Sequence, residues 1–368
     1  MNKKTTLINN IISLGATLGL VILSCALAGA QTENVIINGL IALGGAIVFG
    51  LINTFLHEWG HLIAGKINKF ELISFSVWFF RWEKINGKLK FKFIMLKDQA
   101  GSTELVPTTT ENLFKRYRKV AISGGVVSSV LTIISIVPLF FVSLLPVELY
   151  FFLSMALPVS AFFALGSLLP MTEGGFRNDG ATALGLKRKD DIAKVTVGLL
   201  EIQALLYQGK TPSEIEEEKY FNLPQLPEDE IMFINLLNAR YNYYLDKKDY
   251  ANAIKTIERL LGLEEYMPKG YINEIKVDAL FNACTFNYNE DLADDLTYEL
   301  EKYLNNVNTA KTLRAKLAYL LYVRKEKEVF DMFYNKGIKE AKNSQLKGLI
   351  DFEIKLFESI KENKEKFN

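Results

Sequence analysis

Apolar positions along this chain follow two different patterns. The first half contains four long apolar blocks, and the second half an amphipathic beat of helical period. Leu7–Ala30, Val35–Leu56, Val120–Leu145 and Leu149–Met171 contain no Asp, Glu, Lys or Arg. A helix needs roughly 20 apolar residues to cross a bilayer core, so each block is long enough. The pattern predicts transmembrane helices over about 7–30, 35–64, 120–145 and 149–171. Between the second and third lies Glu71–Asp98, where the runs Leu72–Trp82 and Lys88–Leu96 flank Asn86-Gly87, a strong turn signal. A β-hairpin is expected over 71–97, with apolar residues alternating against Lys88, Lys90 and Lys92. From about residue 186 onward the chain reads as helices. Thr211-Pro212-Ser213-Glu214 has the cap, proline and glutamate of a helix start. The expected fold is an all-α dominated membrane protein. Four transmembrane helices and a small cytosolic β-hairpin fill 1–185, and a cytosolic α-helical repeat domain fills 186–368.

Charge sharpens this division. The whole chain carries a net charge of only +1 over 368 residues. Residues 1–170 nevertheless hold 14 Lys and Arg against 8 acids, whereas the remainder holds 29 against 34. That split excludes a single soluble domain, a disordered chain and a uniformly basic nucleic-acid binder. Cys25 and Cys284 are too few for a disulfide framework or a cysteine metal cluster, and are most simply buried small hydrophobes. The 66–119 loop carries twelve basic residues, while the Gln31–Asn34 and Pro146–Glu148 connections carry none. The positive-inside rule therefore puts the N-terminus, this loop and the tail in the cytosol. An alternative reading takes Met1–Ala30 as a cleaved signal peptide, which leaves the later spans oriented as before.

Candidate chemistry sits at the end of the second block, in His57-Glu58-Trp59-Gly60-His61. On a helix, residues four apart share a face, so both imidazoles can bind one Zn²⁺. Glu58 stands beside them to take a proton from water at the metal. Gly60 is costly in a helix, but lets another backbone approach. These are the only two histidines in the chain. One zinc per chain is expected, and a hydrolytic site needs a third protein ligand. Without another imidazole, the ligand must be a carboxylate at similar depth. Asp179 is the first candidate and Glu173 the alternative, both just beyond the fourth block. Asp179 can also be read as a helix N-cap.

HEWGH at the end of a transmembrane helix, with a late Pro170…Asp179-Gly180, resembles the site-2 protease family of intramembrane zinc metalloproteases. The resemblance covers roughly residues 35–185. It implies that His57, His61 and Asp179 bind zinc and that Glu58 is the catalytic base. Gly124 and Gly125 are similar to the small-residue turn that opens a middle helix in that family. Two departures stand out: Ser167 replaces an Asn common in the family, and Glu173-Gly174-Gly175 lengthens the gap before Asp179. The hairpin reads as an amphipathic element on the anionic inner leaflet. In the light of the family it is also an edge near Leu72–Trp82 that pairs with unwound substrate. The 66–119 loop is too short for the PDZ domain of many relatives.

In the tail, Asn242–Leu261, Ala279–Leu300 and Ala315–Phe333 look like three helix-turn-helix units, loosely similar to tetratricopeptide arrays. Their aromatics read as core. No phosphate-binding glycine loop or basic groove occurs, so no nucleic-acid partner is expected. The functional expectation is a zinc endopeptidase of the cell membrane, acting on membrane-anchored proteins or small membrane-associated peptides near the cytosolic face. Its tail would recruit a cytosolic protein partner or a substrate. The alternatives are a non-catalytic membrane scaffold and a dedicated maturation or immunity factor for one peptide.

Overall fold

A computed structural model describes residues 3–28, 34–94, 100–173 and 175–366. The chain divides into two compact units. One comprises Met1–Lys84, Leu89–Val106 and Glu111–Ala193, the other Ile85–Lys88, Pro107–Thr110 and Lys194–Asn368. The expected boundary near 185 lies inside α6 (Asp179–Arg188), a helix that packs on α3 (Leu113–Ile134) and so belongs to the first unit.

The first unit contains α1 (Lys3–Ala28), α2 (Val35–Ile67), α3, α4 (Val147–Ser154) and α5 (Ala156–Leu168). Four helical stretches, Lys4–Leu27, Val35–Ile67, Leu113–Phe141 and Val147–Leu168, are long and apolar enough to cross a membrane. The third starts earlier than the apolar pattern suggests, because Lys115, Arg116 and Arg118 extend α3 by two turns before the apolar block. Arg116 donates from Nε to the Asn68 carbonyl at 2.7 Å and from Nη2 to the Lys69 carbonyl at 2.8 Å. The last stretch is interrupted between Ser154 and Ala156, since Pro158 has no N–H for the Ser154 carbonyl.

Polarity in this unit is inverted relative to a water-soluble core. Ile22, Ile36 and Phe140 are 68%, 77% and 77% exposed, while Asn53, Thr54, Ser128, Ser154 and Ser160 are buried. Asn53 donates to the Ser160 hydroxyl at 2.9 Å, joining α2 to α5. Small polar residues inside and large apolar ones outside are what a hydrocarbon solvent favours and water penalises.

Beyond α2 the chain forms a four-stranded sheet with the order β3-β2-β1-β4, from β1 (Phe70–Val77), β2 (Phe80–Ile85), β3 (Lys88–Phe93) and β4 (Gly101–Pro107). β1 and β2 are antiparallel, with Phe75 opposite Trp82. Asn86 and Gly87, with φ of 51° and 74°, turn β2 into β3 as the Asn-Gly pair foretells. The run Leu72–Trp82 is therefore interior to the sheet. The outer strands are β3 and β4, and β4 was not anticipated. Aromatic contacts pass from Phe55 and Trp59 on α2 through Phe75 and Trp82 to Phe91 on β3, with ring centroids 5.5–6.5 Å apart.

The second unit has ordinary polarity and is helical: α7 (Asp191–Gln208), α8 (Glu218–Phe221), α9 (Ile231–Asp246), α10 (Tyr250–Leu261), α11 (Lys269–Cys284), α12 (Glu290–Asn306), α13 (Ala310–Ala318), α14 (Phe330–Ala341) and α15 (Lys347–Lys366). Successive helices pack as the pairs α9–α10, α11–α12 and α13–α14. Asp249 and Asn289 cap α10 and α12 by accepting from the main-chain N–H three residues on. The Thr211–Glu214 box forms, but on a single 3₁₀ turn rather than a long helix. Aromatic Tyr220 and Tyr243 lie in the core with Ile202, Leu206 and Ile215. Cys284 is buried as expected, whereas Cys25 is exposed on the outward face of α1.

Candidate metal centre

The last turns of α2 carry His57, Glu58 and His61, and the first residue of α6 is Asp179. Two local devices bring these elements together. Asn178, not Asp179, is the N-cap of α6, accepting from the Ala181 N–H at 2.9 Å. The same side chain accepts from the Met171 N–H at 3.0 Å and donates to the carbonyls of Gly166 and Leu169 at 2.7 and 2.6 Å. Asn178 thus ties the end of α5 to the start of α6 and leaves Asp179 facing α2. The second device is Gly124 in α3. A Cβ there would lie 2.4 Å from His61 Nε2 and 2.5 Å from His57 Nε2, so a side chain would occupy the space between the imidazoles. Gly124 and Gly125 lie in the middle of α3, not at a turn that opens it. Their smallness serves packing, with Gly125 against Leu168 and Ser167. Gly60 plays the part expected of it, bringing Ser123 of the α3 backbone against α2.

His57 Nε2, His61 Nε2 and Asp179 Oδ2 form a triangle with edges of 3.2, 3.2 and 3.3 Å. Three corners of a tetrahedron about an ion with ligands at about 2.0 Å are separated by about 3.3 Å. The hydrogen bonds behind the ligands point the same way. His61 Nδ1 is 2.8 Å from the Val120 carbonyl, an acceptor only, so Nδ1 carries the proton and Nε2 presents a lone pair. His57 Nδ1 lies 3.0 Å from the Ser128 hydroxyl, and Ser167 donates to Asp179 Oδ2 at 2.7 Å. Acceptor atoms this close repel one another unless a cation or proton lies among them. The donor set therefore fits a metal ion, and His57, His61 and Asp179 are the described group able to hold one.

Glu173, the alternative third ligand, lies elsewhere. It is exposed on the two-residue strand β5 (Thr172–Glu173), opposite Phe176 of β6 (Phe176–Arg177). Glu58 is buried beside the triangle, and Thr103 of β4 donates to its Oε2 at 2.6 Å. Gly101 lies so close that a Cβ would be 2.9 Å from Glu58 Oε1. A cavity of about 550 Å³ opens onto His57 and Glu58, walled also by Thr54, Gly101, Phe163 and Ser167. Thr103, Asn178 and Ser128 escape a reading of sequence because their roles depend on long-range packing. Only the adjacency of Asn178 to Asp179 offered a signal.

Comparisons with protein-family models, with curated proteins and with solved structures found no match.

Proposed function

We propose that this chain is an intramembrane zinc metalloendopeptidase of the site-2 protease type. It is a multi-pass protein of the cell membrane, with its N-terminus and helical tail in the cytosol. The observation that carries this reading is the triangle of His57 Nε2, His61 Nε2 and Asp179 Oδ2, with edges of 3.2–3.3 Å, of which His57 lines the same cavity as Glu58. A scaffold needs no carboxylate base between its ligands.

His57, His61 and Asp179 would hold the one zinc ion. When bound, zinc supplies a Lewis acid that makes water more acidic and polarises the carbonyl under attack. Thr103 occupies Glu58 Oε2, leaving Oε1 to accept a proton from the attacking water. As the peptide C–N bond breaks, Glu58 passes that proton to the departing amine. A substrate helix must unwind first, because its amide groups are bonded within the helix. The outer strand β4, which reaches Glu58 through Thr103, offers main-chain groups to the extended segment in place of the Leu72–Trp82 run. The exposed aromatics of β3, alternating with Lys88, Lys90 and Lys92, suit the headgroup region of an anionic leaflet. Substrates are membrane-anchored proteins or small membrane-associated peptides, cut near the cytosolic face. The tail is a degenerate helical repeat that recruits a substrate or a cytosolic protein.

Comparative proteomics of membrane peptides tests this reading, using cells that carry wild type or Glu58→Gln. Removing a general base costs about 10²–10⁴ in rate, so specific fragments should vanish in the variant while bound zinc remains. Identical peptide profiles would remove the case for proteolysis.

A further inference from the structure

Basic side chains gather where α3 and α6 meet, at the end opposite the metal centre. Asp179, the first residue of α6, lies level with Gly124 of α3, since both adjoin the two imidazoles. Lys189, the C-cap of α6, holds its Nζ 5.5 Å from the centroid of the Phe114 ring at the start of α3. The two packed helices thus run in opposite directions, and the end of α6 lies beside the first turns of α3. Lys115, Arg118 and Lys119 of α3 are exposed, as are Lys187, Arg188 and Lys189 of α6. Arg116 is used within the protein, through the Asn68 and Lys69 carbonyls. By contrast, Lys115, Arg118, Lys119, Lys187 and Arg188 have no hydrogen-bond or ion-pair partner among the described residues. The nearby acid Asp190 is taken up by Arg177 at 3.0 Å.

Placement on the helix says what these cations meet. Along α3, Lys115, Lys119, Ile122, Val126, Val130 and Ile133 recur three or four apart, which puts them on one face. Val126, Val130 and Ile133 are exposed, as side chains turned to lipid are. The cations continue that apolar stripe at its cytosolic end, at the depth of the headgroups. A basic residue that only directs insertion needs no particular face, because the positive-inside rule counts charges near a span. Nor does Lys115 stabilise its own helix, since a cation in the first turn opposes the dipole. Lys187 and Arg188, in the last turn of α6, do favour theirs.

We infer that these six cations form a binding surface for the headgroup of an anionic phospholipid, whose acyl chains lie along Val126, Val130 and Ile133. The inference rests on the membrane placement proposed above and not on proteolysis. Clusters of Lys and Arg beside a span attract anionic lipids, and a phosphate accepts hydrogen bonds from ammonium and guanidinium groups alike. Because the cations come from two helices, the bound lipid bridges them. It fastens the far end of α6, the helix that starts with Asp179, to the start of α3. The partner is a lipid of net negative charge, such as phosphatidylglycerol, in preference to zwitterionic phosphatidylcholine.

The test uses the full chain, purified in dodecyl maltoside without added metal. It is titrated with phosphatidylglycerol or with phosphatidylcholine of the same acyl chains. Native mass spectrometry reads the retained lipid, and circular dichroism the unfolding midpoint. Each cation near an anionic headgroup contributes about fivefold to binding. Combining Lys115→Gln, Arg118→Gln and Lys119→Gln should therefore weaken phosphatidylglycerol binding about 10²-fold. The rise in midpoint that this lipid gives wild type should vanish with it. Lys115→Arg with Lys119→Arg conserves the charge and should bind as wild type does. Lys255→Gln, Lys302→Gln and Lys339→Gln together remove the same charge from exposed positions of the helical unit and should leave binding unchanged. If the triple α3 variant does not fold, Lys187→Gln with Arg188→Gln decides, with an expected loss of about 25-fold. Equal retention of the two lipids by wild type, or binding kept in these variants, overturns the inference. So does a midpoint raised as far by inorganic phosphate or polyglutamate, which would make this a general anion surface. A chain that is soluble without detergent would remove the membrane placement, and this inference with it.

Discussion

In the apolar unit, one polar cluster is His57, His61 and Asp179, three half-buried groups whose facing atoms lie 3.2–3.3 Å apart. In the charged unit, the corresponding cluster is Asp278 with Lys311 at 2.7 Å and Arg314 at 3.0 Å, and Glu353 lies 3.4 Å from Arg314. The second cluster holds two acids and two bases, and Arg314 also stacks over the Phe281 ring at 4.2 Å. It neutralises itself within the core of α11, α13 and α15. The first cluster presents lone pairs to a common point, meets a cavity at His57 and contains no Lys or Arg. Burial therefore does not make a site. An excess of acceptors around one point is what sets the first cluster apart, because it leaves a place that could hold a cation.

The sharpest way to break this contrast is Gly124→Ala. The added methyl collides with both Nε2 atoms, so metal binding and cleavage should fall more than about 10³-fold while far-UV circular dichroism stays native. Metal retained at wild-type affinity would mean that the two imidazoles do not converge on an ion. Next in size is Asp278→Asn, which leaves Lys311 and Arg314 with a neutral partner in the core. Breaking one side of a buried pair costs about 3–5 kcal/mol, so urea should unfold the helical unit at a much lower concentration. Zinc content should not change, since this cluster is closed to ligands. The smallest effect concerns Asp246 on α9. Partial burial pushes its carboxyl up, but the Ser213 hydroxyl and N–H, Thr211 and Lys355 outweigh that and hold it below the ordinary range. A carboxylate with a depressed folded-state pKa stabilises fully above its unfolded value of about 3.9, and that contribution is lost as pH falls through the folded value. Asp246→Asn should therefore cost about 1 kcal/mol at pH 7 and little near pH 2, read from urea midpoints across that range.

The contrast also explains what the sequence could reveal. Long charge-free blocks and the Asn86-Gly87 turn are local signals, and the long helices and the β2–β3 turn follow them. The run Leu72–Trp82 instead folds back between Val77 and Phe80 into two strands, and Met95–Leu96 of the second run lie outside the described residues. His57 and His61 sit four apart, so their shared face was legible before any packing was known. Asp179 was reachable because few acids lie near the end of the fourth block. By contrast, β4 has the weakly patterned sequence Gly-Ser-Thr-Glu-Leu-Val-Pro and owes its place to pairing with β1. Thr103 finds Glu58 only through that pairing. Gly124 is read as a turn residue along the chain and as space for two imidazoles once α2 meets α3. The Asp278–Arg314 pair spans 36 positions in a region full of both charges, so nothing in the sequence distinguishes it from solvated neighbours.

The central claim is that three specific side chains hold one zinc ion, and metal content tests it most directly. Wild type, Asp179→Asn and Glu173→Gln would be purified in parallel and their zinc per chain measured by mass spectrometry. The expected result is about one zinc in wild type and in Glu173→Gln, with loss in Asp179→Asn. A wild type without zinc, or zinc kept in Asp179→Asn and lost in Glu173→Gln, would contradict it.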